Sequence, residues 1–139
     1  MLFWLFFVLT LFLSCQPVPE GVPLEKYKRQ FVHGRVFIKE DIKHKITKEH
    51  RFLVLLVSKP DNPNPLAVLK VKNPQFPYDF KIHGKHKVEH ERLMEGVVLI
   101  TAKLGKSDSL QEEKGDLIGS ITAHVGSRGV NLIIDKQVE

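Results

Sequence analysis

The residues best suited to chemistry in this 139-residue chain are a group of histidines with a methionine close by. His83, His86, His90 and Met94 lie within the stretch HGKHKVEHERLM. Side chains three and four residues apart share one face of a helix, so a helix here would gather them. Imidazole and thioether ligands suit copper. We expect solvated histidines that hold no metal, and we keep a copper-handling site and a pH sensor as the alternatives.

The single cysteine, Cys15, ends an apolar stretch at the start of the chain, MLFWLFFVLTLFLSC. The run from Leu2 to Leu13 is shorter than the ~20 residues that cross a bilayer as a helix. It fits the apolar region of a signal peptide. LFLSC resembles the lipobox of bacterial lipoproteins, in which cleavage precedes the cysteine and its thiol is lipidated. The resemblance implies that Cys15 is the lipidation site and that Ser14 precedes the cut.

A lipidated Cys15 limits the remaining chemistry. One cysteine permits no internal disulfide and no CxxC motif. A type 1 copper site needs a cysteine thiolate, which lipidation would occupy. Gln16 stands where aspartate would signal inner-membrane retention, which favours the outer membrane slightly over the inner one. A cleaved signal without lipid and an uncleaved anchor remain alternatives.

The sequence predicts three parts: a lipoprotein signal peptide over residues 1–14, a lipidated N-terminus and flexible tether over 15–31, and a β-domain over 32–139. The tether begins with QPVPEGVP, in which proline and glycine disfavour regular structure. Segments rich in β-branched and apolar residues follow, separated by turn signals. The strand candidates are His33–Ile38, Arg51–Val57, Leu66–Lys72, Phe76–Ile82, Gly96–Leu104, Leu117–Val125 and Gly129–Asp135.

Between these candidates the sequence predicts loops over Ser58–Pro65 and Gly105–Asp116, because prolines and polar residues accumulate there. Residues 40–49 and 85–95 each have room for one or two helical turns. About seven short strands indicate an all-β, Ig-like antiparallel β-sandwich, with an open barrel as the alternative. The Ig disulfide and its core tryptophan are absent from the sequence, so apolar packing must hold such a sandwich together.

The order of motifs from His50 onward resembles the C-terminal periplasmic Ig-like domain of the cytochrome c maturation protein H family, CycH. The matching motifs are Pro65–Val68, Ala102–Ser107 and Gly115–Gly119, and the likeness spans roughly residues 32–137. The transmembrane helices and helical repeats of that family have no counterpart here. The resemblance implies an extracytoplasmic partner-binding module, with apocytochrome c or a haem-ligation protein as the partner.

The remaining function classes find little support in the sequence. It has no P-loop, G-x-S-x-G, H-E-x-x-H or G-x-G-x-x-G motif, so we expect no enzyme activity and no cofactor. Its formal charge of +5 comes from scattered lysines and arginines, which indicates a solvated basic surface and not a nucleic-acid site.

We therefore expect a periplasm-facing lipoprotein, held to the membrane by its lipid. Its sandwich would bind proteins through a strand edge or a groove. A copper-handling lipoprotein and a purely structural envelope lipoprotein are the alternatives.

Overall fold

The computed structural model describes residues 29–139, which form two β-sheets around one core. The predictions for the signal peptide, for Cys15 and for most of the tether fall outside these residues. The strands are β1 Phe31–Ile38, β2 Phe52–Lys59, β3 Asn62–Lys72, β4 Tyr78–His83, β5 Val97–Gly105, β6 Leu117–His124, β7 Val130–Ile134 and β8 Lys136–Gln137. Two short 3-10 helices, Glu40–Lys45 and Gly84–His86, complete the regular structure of this part of the chain.

The sheets are unequal in size. One has three strands in the order β4-β1-β7, and the other has five in the order β3-β2-β5-β6-β8. All neighbouring strands are antiparallel except β1 and β7, which are parallel. The predicted all-β sandwich is confirmed. The two-residue strand β8 was not predicted, because so short an edge strand carries no periodic pattern.

Alternating side chains of each sheet face the core. On β4, Phe80 and Ile82 are buried while Asp79 and Lys81 are exposed, as the alternation in the sequence predicted. Phe80 is the largest fully buried side chain. Its ring fills the space that Gly34 leaves open on β1, since a Cβ at Gly34 would lie 2.8 Å from the ring.

The predicted loop over Ser58–Pro65 is wrong at both ends. Strand β2 continues to Lys59 and β3 begins at Asn62, so only Pro60 and Asp61 form the turn. Pro63 and Pro65 therefore lie within a strand. They are tolerated because β3 is an edge strand, where a missing backbone N–H need not break a ladder.

Within residues 29–139, no helix is long and apolar enough to cross a bilayer.

Candidate functional site

The stretch from His83 to Met94, which held the ligands of the alternative copper site, does not form one helix. His83 ends β4, Gly84–His86 makes one 3-10 turn, and bends and a turn follow before β5. The turn is closed locally, because the His83 backbone N–H donates to Nδ1 of His86 at 3.0 Å. The two imidazole rings meet edge to face with 4.6 Å between their centroids.

Met94 lies in the hydrophobic core, with 1% of its surface exposed. Its backbone N–H donates to Oε1 of Gln30 at 2.6 Å, and Nε2 of Gln30 donates to the Met94 carbonyl. The hypothesis of one helical face from His83 to Met94 is therefore wrong. The physical reason is a long-range contact: Lys87 bridges to Ala67 of β3, Val88 N–H donates to the Leu66 carbonyl, and the chain then continues through bends and a turn. Among residues 29–139, no group of three or more His, Cys, Asp or Glu side chains is placed to hold a metal ion.

Lys87 stabilises this loop through hydrogen bonds from its side chain. Its Nζ donates to the His90 carbonyl at 2.9 Å and lies 3.5 Å from Oε1 of Gln30. Burial lowers the pKa of Lys87. It also lowers the pKa of His86, and the nearby His83 and Lys85 lower it further. These contacts make the segment an ordered loop fastened to the start of β1.

His33 of β1 lies in the same region as His83. It is outside the stretch from His83 to Met94, so the sequence pattern did not indicate it. Its ring lies 4.8 Å from that of Phe31. Partial burial lowers the pKa of His33, and the positive charges of Arg128, Lys81 and His83 lower it further. Only the pairing of β1 with β4, which sets His33 opposite Lys81, brings these side chains together.

His33 belongs to a larger surface on the outer side of the three-stranded sheet. We call this surface the basic face. Its members alternate with core residues along β1 and β4, or come from the turn before β7. They are Phe31, His33, Arg35, Phe37, Lys81, His83 and Arg128.

The opposite side of the sandwich carries a groove of about 410 Å³, which we call the outer groove. Its floor is formed by Leu56 of β2 with Leu99 and Thr101 of β5. One wall is the turn between β2 and β3, and the other is the loop between β5 and β6 with Leu110 at its rim. The groove is thus apolar below and polar at its edges, a pattern common in binding sites.

A buried ion pair fixes the loop that forms the second wall. The side chains of Lys103 and Asp116 are 5% and 4% exposed, and their Nζ and Oδ2 atoms lie 3.7 Å apart. Nζ also donates to the Gln111 carbonyl at 3.2 Å, and Oδ2 accepts the Glu113 backbone N–H at 2.7 Å. This pair was not predicted from the sequence. The available signal was the one charged residue in the apolar strand GVVLITAKL.

The exposed edge of β3 is less accessible to a binding partner than the outer groove is. Its first residues include two prolines, which have no N–H to donate. Farther along, Leu66 already accepts a hydrogen bond from Val88 at 3.0 Å. Lys70 and Lys72 are exposed on the rest of the strand. Prolines and lysines on an edge strand hinder the addition of another strand.

Comparison with known proteins gives two matches. The family model for the cytochrome c-type biogenesis protein H Ig-like domain matches residues 32–135. A protein of Aquifex aeolicus (strain VF5), named only as an uncharacterized protein, is 42% identical over 144 residues. That alignment covers 98% of this chain and 96% of the relative. No solved structure matches the chain.

Proposed function

Because the chain belongs to the cytochrome c-type biogenesis protein H Ig-like domain family, we propose that it is a lipid-anchored, non-catalytic binding module in cytochrome c maturation. Its domain faces the periplasm and binds apocytochrome c or a component of the haem-ligation machinery. The outer groove is the binding site in this proposal.

The observation that carries the proposal is the combination of an apolar floor with an exposed leucine at the rim. Leu110 is 44% exposed and lies at the rim beside the apolar floor, so the two form one continuous apolar surface. Leu56 and Leu99 are half-buried below it. An extended segment of a partner could place one apolar side chain between these leucines, with the polar rim satisfying its backbone.

Groove docking is favoured over strand addition. The β3 edge is interrupted by Pro63 and Pro65 and partly occupied by the residues around Val88. The groove, in contrast, is held open by a fixed wall, because the Lys103–Asp116 pair ties the β5–β6 loop to the sheet. A wall that is already ordered costs less conformational entropy on binding than a flexible one.

We expect Leu110→Asp to weaken partner binding at least tenfold, because it places a charge in the apolar contact. Membranes would be solubilised and passed over the immobilised domain, and the retained cytochrome c assembly components identified by mass spectrometry. Val88→Asp is the matched control, since Val88 is 53% exposed and lies outside the groove. Equal recovery of an assembly component by the wild type and Leu110→Asp would refute the groove as the site. Recovery of no such component by the wild type would refute the role in maturation.

The lipid anchor is a separate part of the proposal, supported by the sequence around Cys15. Radiolabelled palmitate is expected to enter the wild-type chain and to be absent from Cys15→Ser, since only the thiol can carry the diacylglycerol. Acyl chains contribute about 0.8 kcal/mol for each buried CH₂ group, so several chains on Cys15 hold the wild-type domain on the membrane. Label that persists in Cys15→Ser would show that another residue is modified. Fractionation of the wild-type chain would test the outer-membrane preference.

A further inference from the structure

We propose that the basic face binds the anionic headgroups of a phospholipid bilayer and thereby turns the outer groove away from the membrane. This surface is distinct from the outer groove, and its binding to lipid does not require that the groove has a partner.

Strand register brings the basic side chains of β1 and β4 together. On β1, Val32 and Val36 face the core, so His33 and Arg35 face outward. The antiparallel register sets His33 opposite Lys81 and Phe31 opposite His83, so the outward side chains of β4 lie beside those of β1.

Arg128 completes the group from the turn before β7. Its guanidinium lies 5.0 Å from the centre of the Phe31 ring. Two strands and a turn therefore direct basic side chains to one side of the domain.

The negative charge on this surface is small. Asp79 faces outward between the cations, but it is already paired with Arg35, whose Nε lies 2.7 Å from Oδ1. Within residues 29–139, no carboxylate lies within ion-pair distance of Lys81 or Arg128. The basic face thus has positive charge that nothing else in this part of the chain neutralises, and it is complementary to an anionic surface.

Apolar groups lie among these cations. Phe31 and Phe37 are only half-buried, and Ile133 of the neighbouring β7 is 48% exposed. Cations beside partly exposed aromatic rings suit the bilayer interface, where phosphates meet the first acyl carbons. An acidic peptide or duplex DNA would meet the same cations but would leave these apolar side chains in water.

The position of the chain start also favours a bilayer. Phe31, the first residue of β1, belongs to the basic face, so the described part of the chain begins beside this face. A membrane attachment upstream would bring this side of the sandwich to the bilayer first. The two sheets of a sandwich pack about 10 Å apart, and the outer groove lies on the far side of the second sheet.

Vesicle co-sedimentation tests this inference with a chain that begins at Gln16, which keeps both sheets and the whole core. Phosphatidylcholine vesicles would be compared with vesicles that also contain phosphatidylglycerol. We expect binding only to the anionic vesicles, and binding should weaken steeply as salt is added. Lys81→Gln/Arg128→Gln should bind roughly thirtyfold more weakly, since each cation near a membrane contributes about 1 kcal/mol.

The matched control is Lys48→Gln/Lys136→Gln, which removes the same charge from exposed positions outside the basic face. It should bind much more tightly than the basic-face variant. Circular dichroism and thermal melting would confirm that both variants are folded. Equal loss in the two variants, equal binding to neutral vesicles or absence of binding would overturn the inference. So would tighter binding to polyglutamate or duplex DNA than to anionic vesicles at the same salt. Leu110→Asp should bind vesicles normally, so a failure of the groove proposal can be recognised separately.

Discussion

Replacing Asp116 with alanine is expected to lower the free energy of unfolding by about 3–5 kcal/mol. The reason is that Lys103 would remain buried in the five-stranded sheet without its countercharge. The Glu113 backbone N–H would lose its acceptor as well. Urea denaturation followed by circular dichroism would measure the change.

Two further variants test whether the loss of stability comes from the unpaired buried charge or from substitution as such. Lys43→Ala removes a solvent-exposed pair with Glu40, in which Nζ and Oε1 lie 2.6 Å apart, and should cost less than about 1 kcal/mol. Lys103→Met/Asp116→Leu replaces both buried charges with apolar groups and should recover much of the lost stability. A double variant as unstable as Asp116→Ala would contradict the explanation by an uncompensated charge.

The same substitution should also affect the outer groove. The Lys103–Asp116 pair fixes the β5–β6 loop, so Asp116→Ala should reduce partner binding even below the temperature at which the domain melts. Such a loss of binding in a folded variant would show that the position of the β5–β6 loop contributes to partner binding.

Gly119→Ala is expected to destabilise the domain by about 3 kcal/mol, at the upper end of the range for overpacking. Gly119 lies on β6 where this strand meets β7 of the other sheet. A Cβ there would lie 2.8 Å from Cα of Ile134 and would also clash with the Ile133 carbonyl oxygen. These are backbone atoms, so relieving the clash requires the two sheets to move apart. Thermal unfolding would report the loss as a lower melting temperature.

Gly84→Ala is the control for Gly119→Ala. A Cβ at Gly84 would meet nothing within 4 Å, and its φ is not in the left-handed region. This substitution should change stability by less than about 1 kcal/mol. Similar losses at the two glycines would mean that the close approach of the sheets at Gly119 is not the cause.

Local sequence pattern was sufficient to predict most of the strands. The alternation from Phe76 to Ile82 predicted β4 and its buried face, because a strand repeats every two residues whatever lies around it. The prolines at 63 and 65 led to the wrong prediction of a loop, since proline is excluded from a central strand but not from an edge strand. Which strand lies at an edge is decided by pairing with distant parts of the chain, and local pattern does not contain that information.

The sites were harder to predict than the strands for the same reason. The histidine spacing suggested a shared helical face, but the chain contacts β3 at Lys87 and Val88 and then runs through bends and a turn. The basic face depends on the register between β1 and β4, which are separated by two other strands in the sequence. The predicted polar loop over Gly105–Asp116 is present except for Gly105, which ends β5, but its role as a groove wall depends on Lys103, a residue of that strand.

The central position of β1 has a mechanical consequence. This strand directly follows the upstream segment, and ladders hold it on both sides, to β4 over Phe31–Val36 and to β7 over Gly34–Ile38. Just before the strand begins, Gln30 also accepts a hydrogen bond from the backbone N–H of Met94. A pull on the chain upstream of Arg29 would act along the strand and load both ladders in shear, so many hydrogen bonds must fail together. Resistance to such force is governed by the rate of unfolding, and this geometry suits a domain that is held by its first strand.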